Sequence, residues 1–305
     1  MTPSLHGAGR GEGKVVLDET FFDQCAVVCV DLQEGKCGEP MADDRLPALW
    51  KAMGFTAADV NAASDFAWDI CLPNACKVVE ACRRLQLPII FLHWGYRFKN
   101  GMDLDPVVRA MMLHDHGEDF NAWSGHIDQE SSQPAKCFHV REDEYALPKT
   151  AQDAFISSNI GFLLTNLGAD NLVFIGGHTE ACLGKTAVSA KRLGYRTLCI
   201  EDATNNARES TRRKGIEESQ FDFVVDTRTF LALVDQHAQR GSLARAGRRG
   251  KHHRDGKRTH RSDYSSRSTT TRFPSKPSQE PDSTCTTSSV RSSAPTLTSS
   301  RCSAS

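Results

Sequence analysis

The chain has 305 residues, and its 37 Lys and Arg nearly balance 38 Asp and Glu for a formal net charge of −1. The balance conceals two unlike parts: residues 241–305 hold 13 Lys and Arg against 4 Asp and Glu, a net of +9, which leaves −10 on residues 1–240. No run reaches the about eighteen apolar residues of a membrane-spanning helix, and the 11 cysteines lack the framework of a disulfide-stapled secreted domain, so a soluble cytoplasmic protein with no membrane partner is expected.

Residues 1–20 are Gly-rich and polar and predict a flexible N-terminal arm. Cys25-Ala-Val-Val-Cys-Val30 then reads as a buried strand, with Asp31 at its carboxyl tip and Gln33 just beyond. Open parallel sheets bind ligands outside the carboxyl ends of their strands, although an aspartate at this place serves equally well as a helix N-cap. Residues 38–69 are broken by Pro40, Pro47 and Gly54 and scattered with Trp50, Phe55, Phe66 and Trp68, which predicts an irregular insertion with short helices, a lid or a subunit contact. Leu72–Leu87 sets Ala75, Val78, Val79, Cys82 and Leu85 on one helical face and Lys77, Glu80, Arg83 and Arg84 on the other. The strand Pro88–His93 delivers Trp94, Tyr96 and Arg97 at its tip, rings and a guanidinium suited to a small planar or anionic substrate. A satisfied buried histidine and a stacked surface arginine fit His93 and Arg97 as well.

Asp105-Pro106 opens a helix through Leu113, residues 117–134 read as a polar loop, and Lys136–Val140 as a short strand. Lys149 follows Pro148 and precedes small residues; by itself it reads as a surface lysine. Asn159–Leu167 is a helix closed by Gly168. Leu172–Ile175 is the next buried strand, and it passes through Gly176 and Gly177 into a helix over Ala181–Leu193. Cys182 therefore stands at a helix N-terminus, where unpaired N–H groups and the helix dipole favour a thiolate and can hold an oxyanion. An arbitrary cysteine is more often a small buried hydrophobe, and the turn alone does not decide between the two.

Tyr195–Ile200, Ala207–Gln220, Phe221–Val225 and Thr227–Gln239 continue the alternation of strand and helix. The pattern predicts an α/β fold of three layers over residues 21–240, a mostly parallel sheet of about six strands with helices on both faces. Residues 241–305, Ser/Thr/Arg-rich with Leu243, Phe273, Val290 and Leu297 as the large aliphatic or Phe side chains, predict a disordered basic tail. Contact of that tail with nucleic acid is not favoured over a solvated extension, and no function is assigned to it. The sequence has no Cys-x-x-Cys or His-x-x-x-His pair, so a structural zinc site has little support.

Asp31, Lys149 and Cys182 fall at strand ends in that order. Val27-Val-Cys-Val-Asp31-Leu-Gln33, Leu147-Pro-Lys149 with Ala154-Phe155, and Gly176-Gly-His-Thr179-Glu-Ala-Cys182 together resemble the isochorismatase-like cysteine hydrolases, the superfamily of nicotinamidases and N-carbamoylsarcosine amidohydrolases, over about residues 22–236. The resemblance implies a Rossmann-like sheet and a cis peptide between Gly177 and His178, next to Thr179. It implies further that Cys182 is the nucleophile, that Asp31 is the general base, and that Lys149 orients Asp31. The His178 and Cys182 N–H groups would form the oxyanion hole, and Gln33, Trp94, Tyr96, Arg97 and Phe155 would contact a small amide or ureido substrate. Many such proteins are homo-oligomers. Three departures stand out: His178 replaces a smaller residue, the nicotinamidase Asp-x-His metal pattern is missing so that no metal or other cofactor is expected, and the basic tail has no counterpart. Isochorismate vinyl-ether hydrolysis, which does not need the thiolate, and a non-catalytic binding protein on the same fold are the competing expectations.

Overall fold

The computed structural model describes residues 17, 20–34, 41–46, 48–52, 54–121, 123 and 125–252. All of them belong to the first of two compact units, residues 1–255. The expected arm, apart from residues 17 and 20, and the expected tail beyond residue 252 lie outside the described residues; residues 241–252, expected to begin that disordered tail, are helical instead.

Six strands form a single sheet: β1 Cys25–Val30, β2 Ile89–Trp94, β3 Tyr145–Lys149, β4 Asn171–Gly177, β5 Arg196–Asn205 and β6 Phe223–Val225. Their order is β3-β2-β1-β4-β5-β6 and every pairing is parallel. The crossovers between them are helical: α1 Ala48–Ala52, α2 Ala57–Phe66 and α3 Leu72–Arg84, then α4 Pro106–His116, α5 Ala154–Ser157, α6 Ile160–Leu167, α7 Cys182–Arg192, α8 Glu209–Glu218 and α9 Thr227–His252.

The period-two alternation of the strands divides the interior into two cores. Val27, Cys29, Phe91, Val173, Ile175, Leu198 and Phe223 face α3 and α9, where Ala75, Val78, Val79, Cys82, Phe230 and Val234 meet them. Val28, Val30, Ile90, Leu92, Leu172, Phe174 and Cys199 face the opposite way, against Ile160 and Leu164 of α6 and Leu183, Ala187 and Ala190 of α7. A strand buried on both faces has no polar side to show, which is why β1 and β4 read as unbroken apolar runs.

Two sequence expectations change. A π-helical turn, Ala67–Cys71, joins α2 to α3, so the helix of the insertion runs directly into the amphipathic one. The insertion is also tied down: the Arg208 guanidinium lies 4.2 Å from the Phe55 ring centroid and bonds Asp59 at 2.9 Å. The strand expected at Lys136–Val140 is instead a single 3-10 turn, Lys136–Phe138. Only Phe138 is buried there, its ring 5.2 Å from that of Phe91, while its neighbours on both sides are exposed. One plugging side chain gives no alternation to pair as a strand.

Candidate active site

In a sheet ordered 3-2-1-4-5-6 the connections leaving β1 and β4 run to opposite faces, and a crevice opens between their tips. Asp31 leaves β1 at that crevice and Cys182 follows β4. Lys149 ends β3, two strands from β1.

The exit of β4 is shaped by what its backbone touches. Gly176 has φ of 109°, a region closed to L side chains, and a Cβ there would fall onto the Val30 carbonyl of β1. A Cβ on Gly177 would fall onto Oδ1 of Asn205, its register partner on β5. The Gly177–His178 peptide is cis, at the place the resemblance implies. Thr179 is fully buried; its hydroxyl donates to the Arg212 carbonyl at 3.0 Å and accepts from Asn206 Nδ2 at 3.1 Å. Ala181 and Leu183 N–H both donate to the His178 carbonyl, at 3.0 and 3.1 Å, and the chain enters α7 at Cys182, which is half-buried.

The exit of β1 is shaped by side chains. Asp31 holds a left-handed φ of 51°, uncommon for a residue with a Cβ and best tolerated by Asp and Asn. Gln33 donates from Nε2 to the carbonyls of Trp94 and Ser132, both at 2.9 Å, and accepts the Trp94 N–H at 3.0 Å. Ser132 belongs to a strap, residues 130–138, that also pairs Ala135 N–H with the Leu32 carbonyl at 2.9 Å and Glu34 N–H with the Gln133 carbonyl at 3.2 Å.

The structure brings the three central residues together. Lys149 Nζ lies 2.8 Å from Asp31 Oδ2, both side chains being at most 1% exposed, and also donates to the Ala151 carbonyl at 3.2 Å. It hydrogen-bonds the Cys182 sulfur as well. Burial by itself would lower the lysine pKa, but the charges of Asp31 and Cys182 and the hydrogen bonds to them outweigh it and hold the ammonium above its ordinary value. The lysine is therefore a fixed cation between a carboxylate and a sulfur.

His93 stands beside this pair, buried, with Nδ1 2.9 Å from the Ser132 carbonyl. A carbonyl only accepts, so Nδ1 carries the hydrogen and Nε2 is the bare nitrogen. Burial pushes this imidazole below its usual value, with the Ser132 carbonyl and Asp31 pulling upward and Lys149 and Arg97 downward.

The residues read as substrate contacts are placed differently from one another. Gln33 spends its amide on main-chain groups, as above. Trp94 is half-buried, its ring against Gly125. Tyr96 is 1% exposed, its hydroxyl bonded to the Trp123 carbonyl at 3.2 Å and its ring edge-on to Trp123. Phe155 packs on Tyr195 at the margin of the second core. Arg97 is exposed. Sequence reading missed Ser132, Asn205 and Asn206, and only the first lay in a segment given any description, a polar loop. Among the described residues no group of three or more His, Cys, Asp or Glu could hold a metal ion, and no helix is long and apolar enough to cross a membrane.

The isochorismatase domain model matches residues 25–229. The ureidoacrylate amidohydrolase RutB of Rhizobium rhizogenes is 30% identical over 95 residues, a match covering 30% of this chain and 39% of that protein, so that the chain spans about two fifths of the length of this curated relative. Among solved structures, an isochorismatase family protein from Desulfovibrio vulgaris superposes with a TM-score of 0.54 at 16% identity, over 70% of this chain and 98% of that one. A cysteine hydrolase from Pseudomonas syringae pv. phaseolicola superposes with a TM-score of 0.53 at 14% identity, over 78% and 100%. These two likenesses concern the fold.

Proposed function

The chain belongs to the isochorismatase domain family, and from that premise and the geometry of its site we propose that it is a cysteine hydrolase cleaving the C–N bond of a small amide or ureido substrate. The observation that carries the reading is the Lys149 ammonium, buried and bonded to both Asp31 and Cys182. The three groups meet at the switch point, where open parallel sheets bind their ligands. A nucleophile and its base need a fixed cation between them to make the thiolate available.

In this reading Asp31 takes the Cys182 proton and the sulfur attacks the substrate carbonyl. The tetrahedral oxyanion is received by the N–H groups of His178 and Cys182, where one such donor contributes about 3 kcal/mol. The proton returns to the departing nitrogen, ammonia or an amine leaves, and a thioester at Cys182 remains. Asp31 then draws a proton from water, which attacks the thioester and releases the acid. The name of RutB as a ureidoacrylate amidohydrolase supports the ureido class. Ile156 of α5 and Phe162 of α6 are each 78% accessible, exposed apolar side chains of the kind a subunit contact covers.

The test is a panel of primary amides and ureido compounds assayed for ammonia release. A compound turned over by the native chain should lose turnover on the order of a thousandfold or more in Cys182→Ala, with its circular dichroism spectrum unchanged. Turnover that survives this substitution would remove the thioester from the scheme.

A further inference from the structure

A pair of thiols lies on the other face of the sheet from Cys182. Cys76, half-buried on α3, and Cys137, exposed on the 3-10 turn, have their Sγ atoms 3.3 Å apart. A disulfide needs about 2.05 Å, so rotation of two small side chains over roughly an ångström closes the gap. Arg83, two turns along α3 from Cys76, keeps the two segments together. Its guanidinium donates to the Phe138 carbonyl at 2.9 Å and forks onto Glu144 at 2.7 and 2.8 Å, with both of those side chains 6% exposed.

We propose that Cys76 and Cys137 are a dithiol modification site whose reactant is a small hydroperoxide, and that its oxidised form is a disulfide joining α3 to the 130–138 strap. The hydrogen bond with Cys137 pulls the Cys76 thiol below its ordinary pKa, aided by the charge of Arg83 and opposed by burial, while the same contact raises Cys137. Cys76, the sulfur on which the Arg83 charge acts, is the one that attacks. The Cys76 thiolate attacks one peroxide oxygen, the O–O bond breaks, and Cys76 becomes a sulfenic acid as hydroxide departs. Cys137 then displaces that hydroxyl: the S–S bond forms, the S–O bond breaks, and with the Cys137 proton it leaves as water. With hydrogen peroxide, two thiols are oxidised to one disulfide and the peroxide is reduced to two waters, the departing hydroxide taking the proton that Cys76 gave up.

The position gives the oxidation something to act on. The strap supplies the Ser132 carbonyl that accepts from Gln33 and His93, and the main-chain bonds that hold Leu32 and Glu34 behind Asp31. A covalent link at residue 137 would fix one end of that strap.

The experiment treats the full-length Cys182→Ala chain, which lacks the competing site nucleophile, with equimolar hydrogen peroxide near pH 7. Remaining thiols are then capped with iodoacetamide and peptides mapped without reductant. The expected product is a single cross-linked species of the Cys76 and Cys137 peptides, lighter by two hydrogens than its parts and absent when Cys137→Ser is added. In that variant dimedone should label Cys76. Recovery of both cysteines separately capped after the peroxide is consumed, or absence of dimedone label on Cys76, would overturn the assignment. Because Cys182 is absent throughout, the result does not depend on whether the protein hydrolyses amides.

Discussion

The two strand exits that meet at the site are built by opposite means. After β4 the chain turns where side chains are excluded: Gly176 lies against the Val30 carbonyl and Gly177 against Asn205. After β1 it turns where side chains do the holding: Gln33 makes three hydrogen bonds to main-chain groups of Trp94 and Ser132, and Asp31 is locked to Lys149. One exit is defined by neighbouring strands that leave no room for a Cβ, the other by side-chain bonds to partners about sixty to a hundred and twenty residues away. A backbone-defined turn resists any added atom, whereas a side-chain-defined turn fails when a partner is removed.

The largest effect tests the second kind. Lys149→Met should leave the Asp31 carboxylate buried without its cation, and breaking a buried ion pair from one side costs about 3–5 kcal/mol. Urea unfolding should show the loss at neutral pH and a partial recovery on acidification, because protonating Asp31 removes the charge that the variant strands. A loss that does not shrink with falling pH would mean that packing of the lysine stem, not the ion pair, stabilises this exit.

The first kind is tested by two neighbouring glycines. Gly176→Ala combines a disallowed backbone region, about 1–2 kcal/mol, with a clash against main chain that has nowhere to move. Gly177→Ala meets a side chain instead, so overpacking of about 1–3 kcal/mol should be relieved by Asn205→Ala. In a double-mutant cycle Asn205→Ala is expected to rescue the melting temperature of Gly177→Ala and not that of Gly176→Ala. Equal rescue of both would show that the two glycines answer to one constraint.

The same contrast explains what was legible in the sequence. The β4 exit announces itself because its requirements are local: two glycines, a helix start and a cysteine within seven positions. The apolar runs of β1, β2 and β4 are equally plain, since double burial leaves no polar alternation, and the parallel sheet followed from their spacing by helices. Lys149 was legible only through resemblance, for nothing in Leu147-Pro-Lys149 tells a lysine that is 0% exposed from one in solvent. The strap was illegible altogether. Ser132 contributes a carbonyl, which every residue possesses, so its side chain carries no signal of the role. The burial of Tyr96 was illegible for a related reason: whether a ring at a strand tip packs on a tryptophan 27 residues later is decided by tertiary packing, not by local pattern.

A smaller effect probes the clamp between β1 and the strap. Gln33→Leu keeps the volume but removes both donors and the acceptor, leaving the Trp94 N–H and carbonyl without this partner. Stability should fall by about 2 kcal/mol, and in the proposed hydrolase kcat should fall more than KM rises if the amide acts by clamping the chain behind Asp31. A change confined to KM would return Gln33 to the substrate pocket.

The smallest effect is at His93, and it is the one that reports the strap from the site side. Its folded pKa lies below the about 6.5 of an unfolded histidine, so below that pH the unfolded chain takes up a proton that the folded chain refuses. The contribution is fully present above pH 6.5, as roughly placed by the free side chain, and is lost as pH falls toward the folded value. One such proton changes stability by at most about 1.4 kcal/mol per pH unit. His93→Asn keeps a donor in place of Nδ1 for the Ser132 carbonyl and removes the titration. Its urea midpoint should therefore fall less than that of the native chain between neutral and mildly acidic pH, while the two agree closely at neutral pH. If the variant is already weaker at neutral pH and the slopes run parallel, His93 contributes to the β1 exit by its shape and hydrogen bond, and its titration does not set the acid sensitivity of the fold.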